Sequence, residues 1–192
     1  MDTRSKIIQA AVQLFGQKGY YSTSIQEISE HAGVSKGAVF HYFPNKSDLL
    51  FVIHDIHINI LLEHAAHILE QNELTAAGKL RAMITDLIQV LTDYKLYAIV
   101  FFQEFRHITD AEKLAAIKKK RNEYEKAFRV VLRQGLENGE FRPDLNINLA
   151  VKGILGMCDW TTQWLKPEGP LTPEQIGQLF GDMLLNGISA TK

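Results

Sequence analysis

Apolar residues recur along most of the chain at the three- and four-residue spacing of amphipathic α-helices, and the alternation typical of β-strands is nearly absent. The first apolar face consists of Ile7, Ile8, Ala11, Leu14 and Phe15. Gly19 follows this face as a residue that readily adopts the left-handed conformation of a helix end. The pattern predicts an all-α protein with about nine helices and no sheet.

Two short helices, separated by a tight turn, are predicted next. Ser24 and Glu27 have the spacing of a capping box, in which two side chains satisfy the first free N–H groups of a helix. Gly33 lies in the turn, and Ser35 is placed to cap a second helix that ends at Tyr42. The apolar side chains that would pack this pair on the first helix are Ile25, Ile28, Ala32, Val34, Val39 and Phe43.

Longer helices are predicted for the remainder of the chain. They are expected from the Asn45 cap to about Leu69, from the Thr75 region to about Leu91, from Tyr97 to Phe105, from a capping box at Thr109 and Glu112 to about Asn138, from Asn146 to Leu165 and from Pro173 to Asn186. The fourth helix joins two predicted domains, residues 1–50 and 51–192, without a flexible linker. A movement in one domain is therefore expected to be felt in the other.

Composition and charge narrow the class of protein. Of the 192 residues, 46% are hydrophobic and 22% are charged, which suits a globular core and excludes disordered and fibrous chains. Lys and Arg number 21 against 22 Asp and Glu, so the net charge of −1 gives no support to nucleic-acid binding. Residues 1–50 carry five basic and four acidic side chains, a net of +1, so a DNA-binding function must rest on local pattern.

The cysteine content and the N-terminus indicate the compartment. Cys158 is the single cysteine, so an intrachain disulfide is impossible and a reducing compartment is the simplest context. No uncharged run approaches the roughly 20 residues that span a bilayer, and the N-terminus lacks the apolar segment of a signal peptide. We expect a cytoplasmic protein without a membrane partner.

A short helix, a tight turn and a second short helix match the helix-turn-helix, whose second helix enters the major groove of double-stranded DNA. Lys36 can reach guanine or a phosphate, and Gly37 and Ala38 let the backbone approach the bases. Lys46 begins the fourth helix, where free N–H groups already favour an anion, and is expected to clamp a phosphate. The candidate DNA-binding residues are Thr23, Ser24, Gln26, Ser35, Lys36, Gly37, Ala38, His41, Tyr42 and Lys46. On spacing alone, the corner of an ordinary helical bundle remains an alternative.

Residues 24–43 read SIQEISEHAGVSKGAVFHYF, and Lys46 and Leu49-Leu50 follow them. This is similar to the pattern of the tetracycline-repressor (TetR) family, and the match spans about residues 3–60. The family pattern has a serine- or threonine-rich cap, then the core I-A-x-x-A-G-V-S-x-G-x-x-Y-x-Y/H-F, and then K-x-x-L-L. Phe40 departs from the tyrosine that is most common there, so a phosphate-bonding hydroxyl is absent. The resemblance implies a dimeric repressor that binds a palindromic operator and responds to a small-molecule effector. Release from DNA is the response we expect, and the opposite response, in which the effector promotes DNA binding, stays open.

The resemblance also implies a helical second domain that dimerises through its last two helices and encloses an effector site. Small and large apolar groups occur at helical spacing on these helices, namely Ala150, Gly153, Ile154, Gly156, Met157 and Trp164 on one and Ile176, Leu179, Phe180, Met183, Leu184 and Ile188 on the other. Paired with their copies in a second subunit, they would form a four-helix interface. The alternative is that they close the core of the monomer.

Aromatic residues of the second domain are candidates for an effector site. The set comprises Phe101, Phe102, Phe105, Tyr124, Phe128, Trp160 and Trp164, with Arg106 beside them as a partner for an anion. Aromatic residues at helical spacing also occur in ordinary cores, so this alternative stays open. Residues 97–164 resemble the acyl-CoA-responsive regulators of fatty-acid degradation within the family. That resemblance implies a ligand with a long apolar tail and an anionic head.

Other kinds of chemistry have less support. His54, His57, His64 and His67 share the fourth helix and, with His107, would be candidate ligands of a metal sensor. No pair of histidines four residues apart and no thiolate cluster accompanies them, so no metal or cofactor is expected. No phosphate-binding loop, nucleophile elbow or H-E-x-x-H pair indicates an enzyme. The basic run at residues 118–121 is expected to be a solvated helix face rather than a second nucleic-acid site.

Overall fold

The computed structural model describes residues 2–166 and 168–188. These residues form ten α-helices and one short 3-10 helix and no β-strand, which confirms the predicted all-α class with about nine helices. The α-helices are α1 (Thr3–Lys18), α2 (Ile25–Ala32), α3 (Lys36–Tyr42), α4 (Lys46–Leu69), α5 (Ala76–Asp93), α6 (Lys95–Gln103), α7 (Ala111–Glu137), α8 (Ile147–Asp159), α9 (Thr161–Trp164) and α10 (Pro173–Ile188). The 3-10 helix, Phe105–His107, follows α6.

The chain divides into two compact units. Unit 1 contains Met1–Asn59 and Tyr94–Lys119, and unit 2 contains Ile60–Asp93 and Lys120–Lys192. Helices α4 and α7 each contribute one part to each unit, and α6 belongs to unit 1. The units therefore do not follow the boundary expected after residue 50, which was drawn by function and stays a prediction.

Unit 1 is built around α1. The buried side of α1 comprises Ile7, Ile8, Ala10, Ala11, Val12 and Phe15. This helix packs against α2, α3 and α6. The approach of α6 is close at Gly16, where an added Cβ would lie 3.0 Å from Leu96 Cδ2. A helix that is remote in sequence thus forms part of the core beneath the helix-turn-helix.

The short helices of unit 1 begin and end where the sequence predicts. The Ser24 hydroxyl accepts from the Glu27 N–H, and the Glu27 carboxylate accepts from the Ser24 N–H, which completes the capping box of α2. Gly19 and Gly33 have φ values of +85° and +66°, a region that favours glycine. Ser35 caps α3 by accepting from a backbone N–H in its first turn.

Two predicted helix boundaries are wrong. The helix expected from Tyr97 to Phe105 begins at Lys95 and ends at Gln103, because the chain tightens into a 3-10 turn after Glu104. The helix expected to be capped by Thr109 is capped by Asp110 instead, whose Oδ1 accepts from two N–H groups of α7 at 3.0 Å each.

The predicted helix from Asn146 to Leu165 is interrupted, which is a further correction. It is divided into α8 and α9 at Trp160. The hydroxyl of Thr161 donates to Cys158 O at 2.7 Å, and that of Thr162 donates to Asp159 O at 2.8 Å. Threonine hydroxyls that bond nearby carbonyl groups compete with the helical ladder, and two in succession explain the break.

Helix ends in unit 2 are held by charged side chains. The Glu140 carboxylate accepts from the Ala76 N–H at 3.1 Å and the Ala77 N–H at 2.9 Å, which caps the start of α5. Lys79 is buried, and its ammonium donates to Leu69 O at 2.8 Å at the end of α4. Burial raises the pKa of Glu140, but the backbone hydrogen bonds outweigh it and the pKa lies below its ordinary value. Both helix ends therefore depend on ionised partners.

Among the described helices, α4 alone has a length and composition that would also suit a membrane span. A buried core helix of a soluble protein passes the same test. Within unit 1, α4 buries Leu49, Leu50 and Ile53 completely. The apolar side chains in its first part are therefore accounted for by the core of unit 1.

Helix α5 is the centre of unit 2 and packs against α8, α9 and α10. The contact with α10 is closest at Gly177, where an added Cβ would lie 2.5 Å from the backbone Cα of Thr85. A backbone atom cannot rotate away as a side chain can. Glycine is thus required there for the two helices to pack.

We expect Gly177→Ala to lower the free energy of unfolding by about 1–3 kcal/mol, because the methyl group overpacks the α5–α10 contact. Gly187→Ala on the same helix is the matched control, since a Cβ there would meet no atom within 4 Å. It should be neutral or stabilise the protein by up to about 1 kcal/mol through helix propensity. Thermal unfolding followed by circular dichroism measures both, and equal melting temperatures would contradict the close packing.

Candidate functional site

Helix α3 has one buried face and one exposed face. Val39 is fully buried, and Phe43, directly after the helix, is 2% exposed. Of the predicted DNA-binding residues, the exposed ones are Ser24, Gln26, Ser35, Lys36, Gly37, His41 and Tyr42, and Ala38 is half-buried. Phe40 is exposed as well, and Lys36 Nζ lies 6.0 Å from the centre of its ring. The exposed face carries a cation, hydroxyls and aromatic rings, as a helix that enters a DNA groove requires.

Two members of the predicted set, Thr23 and Lys46, make hydrogen bonds within the chain, and their phosphate contacts stay a prediction. Thr23 is 1% exposed, and its hydroxyl donates to Gly19 O at 2.9 Å. The Lys46 ammonium donates to Tyr20 O at 2.8 Å and to Thr23 O at 2.9 Å, and lies 4.2 Å from the centre of the Tyr20 ring. Carbonyl groups in a partly buried loop need donors, and Lys46 supplies them. Both side chains hold residues 19–24, the α1–α2 loop, where we had expected phosphate contacts.

Glu104, at the end of α6, binds the same loop. Its Oε1 accepts from the Tyr20 N–H at 3.2 Å, and its Oε2 lies 3.2 Å from His107 Nε2. The His107 ring stacks on Tyr20 with 5.4 Å between ring centres and meets the edge of Tyr21 at 4.3 Å. Glu104, His107 and Tyr20 are all buried. The α1–α2 loop is therefore fixed by side chains of α4, α6 and the 3-10 helix.

Burial and charge act in opposite directions on Lys46. Burial lowers the pKa of its ammonium, and the negative charges of Glu104 and Glu27 raise it, with a net shift downward. The pKa of Glu27 falls to about 2, first because Lys18 donates to it and then because Ser24 does. Glu27 thus keeps its charge and favours the protonated form of Lys46.

Three of the predicted effector residues, Phe101, Phe102 and Phe105, come together in unit 1. Phe101 is buried, and its ring centre lies 5.6 Å from that of Phe102 and 5.0 Å from that of His57. The ring of His54 lies 5.4 Å from Phe101 and 6.0 Å from Phe105. Aromatic side chains of α6 and the 3-10 helix thus pack on two histidines of α4. Arg106 is exposed beside this group.

The two histidines differ in their hydrogen bonds. His54 Nδ1 lies 2.9 Å from Leu50 O, so this nitrogen carries a proton and donates. His57 is fully buried, and neither of its ring nitrogens has a hydrogen-bond partner. Burial, and to a smaller extent the neighbouring His54, lowers the pKa of His57 to about 4. His57 is therefore a neutral imidazole with one N–H donor and one acceptor in apolar surroundings.

The remaining aromatic candidates lie in unit 2, and they separate into a buried and an exposed group. Tyr124 and Phe128 are buried and in edge contact at 5.5 Å. Burial raises the pKa of Tyr124 well above its ordinary value. Trp160 is 66% exposed and Trp164 is 45% exposed, with the latter 6.4 Å from Phe180. Both tryptophans therefore lie on the surface of the single chain and not in an enclosed cavity, and their role at an effector site stays a prediction.

These tryptophans belong to an apolar surface on α8, α9 and α10. Its most exposed large residues are Leu149, Trp160, Trp164, Leu179 and Met183. A Cβ added at Gly153 or Gly156 would meet nothing within 4 Å. Ile154 and Ile176, by contrast, are buried within the chain, so the alternative of a monomer core holds for these two. The side chain of Ile188 lies outside the described residues.

The other histidines form no site of their own. His64 Nδ1 lies 2.8 Å from Asp86 Oδ1, beside a groove of about 490 Å³ that His67 also lines. Within the part of the chain that the structure describes, no group of three or more histidine, cysteine or acidic side chains could hold a metal ion.

Sequence reasoning missed Glu104 and Tyr20 as parts of the site. Glu104 lies 84 residues from Tyr20 along the chain, so no local pattern joins them. One signal was present, since Glu104 is the only charged residue between Tyr97 and Phe105. A charge within an apolar helix needs a buried partner.

The folds and sequences of known proteins agree with this architecture. Residues 7–53 match the model of the bacterial regulatory proteins of the tetR family, and residues 73–188 match that of the tetracyclin repressor-like C-terminal domain. The HTH-type transcriptional repressor KstR2 of Mycolicibacterium smegmatis is 24% identical over 189 residues, which are 98% of this chain and 92% of KstR2. The fatty acid metabolism regulator protein of Bacillus subtilis is 27% identical over 184 residues, 95% of this chain and 94% of that protein.

The fold is also similar to that of a protein of known structure. AibR, crystallised with isovaleryl coenzyme A and operator DNA, superposes with a TM-score of 0.86 at 26% identity, covering 96% of this chain and 98% of AibR. The fold and the exposed α3 surface define a helix-turn-helix transcriptional regulator, and not an enzyme. The chain belongs to the TetR family of bacterial transcriptional regulators.

We expect Lys36→Ala to weaken operator binding by about 1–3 kcal/mol and to lower the slope of affinity against salt by about one if the contact is to phosphate. Lys46→Met should also weaken binding, because the α1–α2 loop loses its donor, but should leave the salt slope unchanged. Fluorescence anisotropy with a labelled operator over a salt series measures both quantities. Lys152→Ala, an exposed lysine on α8, is the matched control. A unit loss of slope for Lys46→Met would restore the phosphate contact first expected.

Proposed function

We propose that this regulator is a dimeric repressor that leaves a palindromic operator when an acyl-CoA ester binds to it. One observation carries the proposal: the DNA-reading helix α3 and the cluster of Phe101 and Phe105 on His54 and His57 belong to the same compact unit. A ligand that changes the packing of that cluster acts on the core that supports α3. Such a ligand shifts the population between DNA-competent and DNA-incompetent arrangements according to its differential affinity.

The DNA contacts proposed for α3 divide by their chemistry. Lys36 is the candidate for reading base edges, and the open backbone at Gly37 allows close approach to them. His41 and Tyr42 bond phosphate oxygens and fix the register without reading sequence. Ser24, Gln26 and Ser35 lie at the helix starts and add phosphate contacts through N–H groups and hydroxyls. Because few side chains read bases, the spacing of two reading heads in a dimer supplies much of the specificity.

The apolar surface on α8, α9 and α10 supports the dimer. Leu149 is 69% exposed and Met183 is 65% exposed, and the same helices carry two exposed tryptophans. Soluble monomers seldom expose so many large apolar side chains on one group of helices. The exposed Gly153 and Gly156 leave room for a helix of a second copy to approach closely. An isologous contact of this surface with itself makes a two-fold dimer, the symmetry that a palindromic operator requires.

The acyl-CoA effector is supported by the cluster in unit 1 and by relatives. The rings of Phe101, Phe102 and Phe105 suit an acyl chain, and the neutral His57 offers a donor to a carbonyl oxygen. Arg106 is exposed beside them and suits a phosphate of the coenzyme. AibR binds isovaleryl coenzyme A, and the Bacillus subtilis relative is a regulator of fatty acid metabolism. A reducing cytoplasm, where acyl-CoA esters and DNA occur together, is the proposed location.

Acyl-CoA esters of short, medium and long chain are expected to weaken the complex with operator DNA at least about tenfold, a change of roughly 1.4 kcal/mol, for at least one chain length. The ester competes with DNA through the arrangement of the reading heads, so it lowers affinity without touching α3. Anisotropy titrations at fixed salt, with free coenzyme A and free fatty acid as controls, measure the effect. If every ester leaves the affinity unchanged while the protein binds DNA, the acyl-CoA proposal fails.

Leu149→Glu is expected to raise the dimer dissociation constant at least about tenfold, roughly 1.4 kcal/mol, because each subunit would bring a carboxylate into the proposed apolar interface. Val130→Glu is the matched control, an exposed apolar residue on α7 outside the proposed interface. Sedimentation equilibrium over a concentration series measures both variants. A wild-type protein that sediments as a monomer, or equal effects of both substitutions, would rule this interface out.

A further inference from the structure

We propose that Glu104 is a positioning residue that transmits the state of α6 to the DNA-reading helices by holding the α1–α2 loop. The inference goes beyond the proposed function, which names no residue that connects the aromatic cluster to the DNA-reading helices. It depends on that function only for the identity of the ligand that moves α6.

The α1–α2 loop sets the placement of the helix-turn-helix on α1. It begins at Gly19, which ends α1, and finishes at Ser24, which caps α2. Only a few residues separate the two helices, so a displacement of Tyr20 displaces the start of α2. Helix α3 packs on α2 and moves with it.

Side chains from two distant helices meet on Tyr20. Lys46 of α4 donates to its carbonyl oxygen at 2.8 Å, and Glu104 at the end of α6 accepts from its N–H at 3.2 Å. The opposite charges of Lys46 and Glu104 attract, and His107 adds a second partner for the carboxylate at 3.2 Å. The backbone of one loop residue is therefore the meeting point of α4 and α6.

Glu104 is rigidly joined to the aromatic cluster. Its N–H donates to Val100 O at 3.0 Å, and its C=O accepts from the His107 N–H at 2.9 Å, so it is the junction of α6 and the 3-10 turn. Phe101 precedes it by three residues and Phe105 follows it directly. A ligand that shifts either ring shifts Glu104, and the Tyr20 hydrogen bond carries the movement into the loop.

A carboxylate in this place has a purpose that simple packing does not explain. Burying a charge is unfavourable unless partners compensate it, and the Tyr20 N–H, His107 and Lys46 compensate the charge of Glu104. The carboxylate also lies directly beside the first residue of the loop, since an added Cβ at Gly19 would be 3.4 Å from Glu104 Oε1, an ordinary contact distance. The carboxylate thus provides a directional hydrogen bond to the Tyr20 N–H, and the loop is free to move when that bond is lost.

The test compares Glu104→Ala, which removes the acceptor, with Glu104→Gln, which keeps an oxygen that accepts from the Tyr20 N–H. Glu112→Gln, an exposed carboxyl on the first turn of α7 in the same unit, is the matched control. Hydrogen–deuterium exchange reports the loop and α2, and anisotropy reports affinity for a DNA fragment selected with the wild-type protein. A third measurement adds isovaleryl coenzyme A to each variant and records both its binding and its effect on DNA affinity.

We expect Glu104→Ala to speed exchange at the Tyr20 amide at least about tenfold and to weaken DNA binding by a similar factor, with unit 2 unchanged. Glu104→Gln should recover at least half of each change on a logarithmic scale, and Glu112→Gln should match the wild type. If the ester acts on the wild type, it should still bind Glu104→Ala but alter its DNA affinity less than a third as much.

The proposal is overturned if Glu104→Ala keeps wild-type exchange and affinity, if it unfolds or loosens both units alike, or if Glu104→Gln performs no better than it. Failure of the ester to act on the wild type would contradict the proposed function instead. The exchange and DNA measurements on the variants would still decide the role of Glu104.

Discussion

Buried side chains supply hydrogen-bond partners to the backbone of the α1–α2 loop, and the DNA-binding part of this protein depends on these contacts. Tyr20 and Thr23 of the loop are buried, although Tyr21, Ser22 and Ser24 are exposed, and no sheet in the described residues is available to pair with the loop backbone. A cation from α4 and an anion from α6 supply the missing partners. Two helices remote in sequence thereby fix where α2 starts, and α3 takes its position from α2. The reading surface is thus set by buried charge as much as by its own residues.

Charged side chains also supply hydrogen-bond partners to backbone groups at the C-terminal end of α4 and at the start of α5. Lys79 donates to the last carbonyl of that helix, and Glu140 accepts from the first N–H groups of α5. An all-helical protein leaves four unpaired groups at each helix end, and a buried end needs a partner more than an exposed one does. Lysine suits a carbonyl and glutamate suits an N–H, so the sign of the charge follows the helix polarity. Lys79 thus holds the C-terminal end of α4, and Lys46, at the other end, ties this helix to the α1–α2 loop.

The local signals of the sequence predict the helix-turn-helix well. The caps at Ser24 and Ser35 and the turn at Gly33 depend on neighbours a few residues away, and the structure has all three. What the sequence leaves hidden is long-range. Lys46 resembles a phosphate ligand until Tyr20 O and Thr23 O are found beside it. The break at Trp160 escapes a helical period because it arises from threonine hydroxyls and not from a change in apolar spacing. Whether an aromatic residue is buried, as Phe128 is, or exposed depends on partners that periodicity does not reveal.

The cluster of phenylalanines on His54 and His57 contains a buried polar side chain, His57, whose ring nitrogens have no hydrogen-bond partner. A fully buried imidazole without a partner is unfavourable by about 1–3 kcal/mol, and an apolar side chain of similar size would avoid that cost. Proteins depart from the rules of stable packing chiefly where function requires it. In this chain the departure lies on α4, against the aromatic residue three positions before Glu104. Under the proposed function, a ligand carbonyl oxygen that accepts from His57 would restore a hydrogen bond beside Phe101. The binding energy would then act on the segment that also carries Glu104, the carboxylate that accepts from the Tyr20 N–H of the α1–α2 loop.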